Sequence, residues 1–141
     1  MSGSISTSLR RLVVGRAAHL CEYCLVHQDD AFYGGEVDHI ISLKHGGETR
    51  EDNLAYACLF CNRAKGSDIA SRNPETGELI RFFNPRLDRW GHHFRIENVM
   101  ILPLTSIGEA TTRIFRFNEE ERLLEREALK AIGLYPPAAA E

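Results

Sequence analysis

Two CxxC pairs, Cys21/Cys24 and Cys58/Cys61, hold all four cysteines of the chain and limit what it can fold into more than any other feature. A tetrahedral zinc ion takes four thiolate or imidazole ligands, and one CxxC turn delivers two of them. Both pairs closed on one ion would pin the segment from Cys24 to Cys58 as a single loop. Two disulfides, a redox pair or buried free thiols are the competing uses. The first eight residues are rich in Ser, Gly and Thr, without a charged-plus-apolar leader, and no long apolar run follows. The expectation is a cytoplasmic chain with no membrane partner, in a reducing compartment where disulfides are rare. A redox site needs one CxxC in a βαβ setting rather than two matched pairs. One structural Zn2+ held by Cys21, Cys24, Cys58 and Cys61 is therefore expected. His27 offers a substitute ligand, but a solvated loop histidine is the simpler role for it.

At 141 residues and 43% apolar, the chain has the size of one domain, 1–141, with a core at 10–68 and an extension at 69–141 packed on it. The formal charge of −3 argues against a generic polyanion binder. Its distribution says more: arginines and lysines outnumber acids between Arg63 and Arg95, whereas Glu119, Glu120, Glu121, Glu125 and Glu127 load the C-terminal segment. A local basic face suits docking on phosphates, although a mixed solvated surface accounts for the same charges.

Leu9, Leu12, Val13, Ala17 and Leu20 recur at helical spacing after Ser8, which predicts an N-terminal helix capped by that serine. Residues 36–41 and 54–57 read as short strands, and 59–68 as a short helix that begins inside the second CxxC. Asn73-Pro74 to Gly77 is a turn before a strand at 79–83. Residues 94–102 and 114–117 are expected as further strands. The last helix is predicted with Asn118 as cap, Glu121 completing a capping box, a stripe of Leu124, Ala128, Leu129 and Ile132, and Gly133 as terminator. It reads as packing rather than chemistry. The two chain ends are expected to fray.

Inside the pinned loop stand Asp38 and His39, then Asn53, then Asn62 directly after Cys61, with Lys65 close to one helical turn further on. Phosphodiester hydrolysis needs a base to take a proton from water and a divalent cation to neutralise the phosphorane and the departing oxygen. Histidine is the side-chain type whose ordinary pKa suits a base near neutrality. Asp38 and Asn62 offer hard oxygens suited to Mg2+ or Mn2+, and Lys65 can meet a phosphate. Neighbours in a regular strand face opposite ways, so Asp38 and His39 share a site only if the strand ends or bulges there.

The segments CEYC, EVDHIISLKHGGETREDNLAYAC and CLFCNRAKG together resemble the HNH endonuclease family, the ββα-metal or His-Me finger nucleases with accessory CxxC zinc pairs. The resemblance covers about Arg10 to Gly66. It implies an α+β fold: a small zinc-stabilised ββα-metal core with an N-terminal helix and a C-terminal strand/helix extension. It also implies His39 as general base, Asn53 as the residue that fixes the histidine's loop, and Asp38 and Asn62 as ligands of a catalytic Mg2+ or Mn2+. The implied activity is cleavage of nucleic acid, with double-stranded DNA as the expected substrate. Asn at the final motif position resembles the HNH domains of RNA-guided nucleases and would leave the cation weakly held and mostly hydrated. A zinc module that binds nucleic acid without cutting is the alternative. A toxin or effector nuclease would use the same site, but no delivery domain accompanies it here.

Downstream, Phe82, Phe83, Trp90 and Phe94 alternate with arginines and histidines. The run resembles an extension found after the core in a group of small bacterial HNH proteins. Such aromatics can stack on bases or pack the extension onto the core, and packing is expected. Arg63, Lys65, Arg86 and His93 are the expected nucleic-acid contacts. His92 and His93 are a poor metal pair, since adjacent histidines need special geometry.

Overall fold

The structure, a computed structural model, describes residues 4–138; the outermost parts of both expected frayed ends lie outside the described residues. Helix α1 spans Thr7–Arg16, strand β1 Gly35–His39, strand β2 Leu54–Cys58 and helix α2 Leu59–Lys65. β1 and β2 form an antiparallel hairpin in which Gly35 faces Cys58 and His39 faces Leu54. Because successive side chains alternate, the two faces of this hairpin differ. Val37 turns to α1, where it forms a small core with Val13 and Leu54, while Asp38 turns toward Lys65 of α2. The N-cap of α1 is Ser6, not Ser8: its hydroxyl accepts a hydrogen bond from Leu9 N at 3.1 Å. With the helix beginning at Thr7, Ser8 lies inside its first turn, and Ser6 stands before it and reaches the N–H three residues on.

The extension begins with a second hairpin, β3 (Ala70–Arg72) and β4 (Leu79–Arg81), around the 73–77 turn. Asn73 Oδ1 accepts from Glu75 N and Thr76 N, the Asx geometry that such a turn favours. After the short helix α3 (Trp90–His93), the expected single strand at 94–102 proves to be a hairpin of β5 (Phe94–Glu97) and β6 (Met100–Pro103). Asn98 turns the chain with φ 60°, a left-handed conformation that asparagine tolerates. Helix α4 covers Ser106–Ile114 and α5 Glu120–Ala131.

Two expectations fail at this end. Residues 114–117 are the end of α4 and the turn beyond it, not a strand; Phe115 and Phe117 reach the core from there. Asn118 does not cap α5 either. Its amide accepts from Ile101 N and donates to Ile101 O, so a remote strand takes the groups a cap would use. The expected apolar stripe is wrong in detail as well: Leu124 is 56% exposed, while Arg122, Glu125 and Arg126 are buried beside Leu129.

The main core joins both parts of the chain. Cys21, Tyr23, Ile40, Ala55 and Cys61 lie in one apolar cluster with Phe82, Phe83, Phe94, Phe115 and Phe117. The aromatics of the extension therefore pack, as expected, and Trp90 Nε1 donates to Tyr23 O at 2.8 Å. Among the described residues no helix is long and apolar enough to cross a membrane.

Candidate metal centres and active site

The four cysteine sulfurs all lie within 4.8 Å of one another, the single such cluster of metal-ligating side chains among the described residues. Each CxxC forms the same knuckle. Cys24 N donates to Cys21 Sγ at 3.4 Å, and Cys61 N to Cys58 Sγ at 3.3 Å. Tetrahedral zinc with bonds of about 2.3 Å sets its sulfurs about 3.8 Å apart. Cys24 and Cys58 are 3.7 Å apart. The donor set and spacing fit a structural zinc ion. His27 lies outside the cluster, its Nδ1 accepting from Asp29 N.

A buried cation supplies a second test of fit. Arg122 is 2% exposed and has no carboxylate ion partner among the described residues. Its Nη2 donates to Cys61 Sγ at 3.1 Å and reaches Cys58 Sγ at 3.8 Å, while Nη1 donates to Phe115 O and Arg116 O. Burial alone works against the charged guanidinium, but the cysteine sulfurs outweigh it and hold Arg122 above its ordinary pKa. A buried charge needs a counter-charge, and four thiolates on Zn2+ carry a net charge of −2. The C-terminal helix thus sits on the cysteine cluster, which no spacing in the sequence announces.

β1 ends at His39, the condition under which adjacent Asp38 and His39 can serve one site. The loop that follows is fastened by Asn53. Its Oδ1 accepts from Ile41 N, and its Nδ2 donates to Ile41 O and Glu48 O, all at 2.9 Å. Its carbonyl also takes Ile40 N at 2.8 Å. Gly47 closes the same loop so tightly that a Cβ there would lie 1.8 Å from Ile41 O. The imidazole of His39 meets Thr49 at its far end, with Nε2 2.9 Å from Thr49 Oγ1. Thr49 was not singled out in the sequence, since nothing in its type or spacing marks it.

Asp38 is 16% exposed, and Lys65 Nζ lies 2.9 Å from its Oδ2. The two form a close, buried ion pair. Burial raises the Asp38 carboxyl above its ordinary pKa, and Lys65 pulls it back without cancelling the rise. Asn62 leads the same helical turn as Lys65, and among the described residues its side-chain amide makes no hydrogen bond. A carboxylate and an amide are hard oxygen donors of the kind that hold a mostly hydrated dication, although Lys65 already compensates the Asp38 charge.

The expected nucleic-acid contacts divide. Arg63 is exposed on α2. Lys65 is not a surface residue: it is 2% exposed, and its ammonium is held by Asp38 and by His39 O at 2.9 Å. Arg86 is spent on structure, paired with Glu22 and donating to Leu54 O, and its side chain is 17% exposed. Glu22 in turn accepts from Tyr56 N, so this pair latches the extension to the hairpin. His93 is likewise engaged, with Nδ1 2.6 Å from Thr105 Oγ1.

Residues 21–68 match the family model for HNH endonucleases. The matched segment holds all four cysteines together with Asp38, His39, Asn53 and Asn62, and covers about a third of the chain. No significant match is found among curated proteins or among solved structures. The HNH match points to nuclease activity on nucleic acid. The matched segment begins at the first cysteine knuckle and ends just beyond α2; Asp38 and His39 stand on β1, Cys58 on β2, and Cys61 and Asn62 on α2, while Cys21 and Cys24 precede β1 and Asn53 lies in the turn that enters β2.

Proposed function

We propose that the protein is a metal-dependent endonuclease that hydrolyses phosphodiester bonds in double-stranded DNA. The observation that carries the reading is the placement of His39 at the end of β1, on a loop that Asn53 fastens by four hydrogen bonds, within the matched HNH segment. Nε2 of His39 is taken up by Thr49 Oγ1; in the tautomer that carries its proton on Nε2, the lone pair on Nδ1 is the one that accepts a proton from the attacking water. Asp38 and Asn62 are the residues that would hold a divalent cation, Mg2+ or Mn2+. When bound, such an ion neutralises charge on the phosphorane and on the leaving oxygen. Asn53 acts through the loop, keeping His39 in place. The zinc-type cysteine cluster holds the scaffold and takes no part in the chemistry.

The buried Lys65–Asp38 pair favours a second reading, a zinc module that binds nucleic acid without cutting. A fixed ammonium already compensates Asp38, so the fold does not require a cation there. Supercoiled plasmid distinguishes the two. The wild type is expected to nick it with Mg2+ or Mn2+ and to stop when EDTA removes the dication while zinc is retained. His39→Ala should cut at least about 10²-fold more slowly and still bind DNA. Equal cutting by His39→Ala would end the base assignment, and binding without cutting by the wild type would leave the second reading.

A further inference from the structure

On the side of α2 away from the β1–β2 hairpin, a groove of about 540 Å³ opens between α2 and the turn joining α4 to α5. Phe60 and Arg63 form one wall, Arg113 and Arg116 the other, with Glu119 at the rim and Arg122 in the lining. Its charge is opposite to that of the chain, whose formal net charge is −3. Arg63 has no ion partner among the described residues. Arg116 is 67% exposed and 3.6 Å from Glu119, a surface pairing that water and salt weaken. Arg113 is placed more firmly. Its Nε donates to Glu109 and its Nη2 to Arg72 O, which spans from α4 to β3.

Two features hold this rim in place. Arg116 has φ 56°, a left-handed conformation unfavourable for a residue with a Cβ, and its carbonyl is gripped by Arg122 Nη1. Arg122 is the same side chain that sits on the zinc-type cysteines. The groove wall is thereby fixed to the metal centre rather than left on a free loop.

Its position relative to the proposed active site follows from helix geometry. Residues of an α-helix step by about 100°, which puts Cys61 and Lys65 inward, Phe60 and Arg63 on the groove side, and Asn62 about 100° from Arg63. A helix is about 10 Å across, and one strand of a duplex carries a phosphate per about 3.4 Å of axis. A strand lying at Asn62 reaches the groove within about three nucleotides.

We propose that this groove is a second nucleic-acid contact, in which Arg63, Arg113 and Arg116 take the phosphodiester backbone flanking the scissile bond. The proposal rests on the nuclease reading for its substrate. It enlarges the expected contact set in a direction the sequence did not show, since Arg116 belongs to the segment 114–117 that reads as a strand and Arg113 stands just before it.

The test uses the full-length, zinc-loaded protein carrying His39→Ala, so that DNA is bound without being consumed. Arg63→Gln and Arg116→Asn are added together; asparagine tolerates the left-handed backbone at that position. Affinity for a short duplex is measured by fluorescence anisotropy across a salt series. Each lost phosphate contact lowers the slope of log affinity against log salt by about 0.9, so the pair should lose about 1.8 and bind more weakly at low salt. Unfolding midpoints should match the parent's. Arg10→Gln, an exposed arginine of α1 across the hairpin, serves as a control and should leave the slope unchanged.

An unchanged slope in the double variant, with a parent that binds, overturns the groove alone. An equal loss in Arg10→Gln overturns it too, because the effect would then be general charge. A parent that binds no duplex removes this proposal, while plasmid nicking by the wild type still decides the nuclease reading. A wild type that binds without cutting removes catalysis, while the slope still decides the groove.

Discussion

His39 is restrained at two points, one on its ring and one on its backbone. Thr49 Oγ1 stands 2.9 Å from Nε2, and Lys65 Nζ donates to its carbonyl at 2.9 Å. The first contact orients the ring, and the second ties the end of β1 to α2. Thr49→Val keeps the shape and removes the hydroxyl, so the ring loses the hydrogen bond that orients it. The expected result is a fall in kcat of about tenfold with KM little changed, because the side chain acts through His39 rather than on substrate. Thr49→Ser should restore most of the rate. A purely structural role would lower the unfolding midpoint in Thr49→Val, and wild-type kcat in that variant would exclude a positioning role. Lys65 shows the limit of a sequence reading at this scale. A lysine one turn after Asn62 looks like a phosphate contact, yet a carboxylate and a carbonyl beneath the helix draw its ammonium inward.

Between elements, the most specific electrostatic device is the fork of Arg81 on β4 against Asp88, with both N–H···O distances 2.8 Å. Asp88 also accepts from Asn84 N, closing the loop before α3. The hydrogen bonds from Arg81 and Asn84 outweigh burial and hold the Asp88 carboxyl below its ordinary pKa. A depressed folded pKa means that the folded state releases this proton more readily than the unfolded chain. The stabilisation is then complete above the ordinary value of about 3.9 and is lost as pH falls through the lower folded value. Asp88→Asn should cost about 1 kcal/mol at neutral pH, a modest figure because Arg81 is half in solvent. In thermal melts the difference from wild type should shrink toward zero in strong acid; a constant difference across pH would show that packing, not charge, is responsible. The hairpin, α2, the cysteine pairs and the order of the site residues were legible in the sequence, because each depends on local spacing. The extension was less so. Ile114, Phe115 and Phe117 look like a strand by residue type, but Thr105 caps α4 through Gly108 N and the aromatics enter the core from its end. Asn118 looks like a cap, but Ile101, seventeen residues earlier in sequence, takes both sides of its amide. Long-range partners of this kind leave no periodic trace.

At the scale of the whole molecule, the four-cysteine cluster and the C-terminal helix are built against each other. Four cysteines from two separate turns converge, Arg122 of α5 lies on two of them, and Tyr135 OH donates to Cys24 O at 2.8 Å. A structural zinc ion contributes folding free energy directly, so Cys58→Ser should unfold or strongly destabilise the chain. Arg122 allows a finer test. With zinc bound, the sulfurs carry surplus negative charge in a buried place, and the guanidinium compensates it. Arg122→Met keeps much of the apolar stem and removes that compensation, for an expected loss on the order of 3 kcal/mol. Zinc should also pass faster to a colorimetric chelator, because thiolates without their cation are more readily protonated. Arg122→Lys should fall between the two, keeping the charge but losing the planar fork that reaches both a sulfur and the Phe115 and Arg116 carbonyls. If the cysteines held no metal and stayed protonated, the sign would reverse. Arg122 would then be a buried cation without a counter-charge, and methionine would stabilise the protein. Melting curves of Arg122→Met, together with zinc content and release rate, therefore separate a loaded tetrathiolate from four buried thiols.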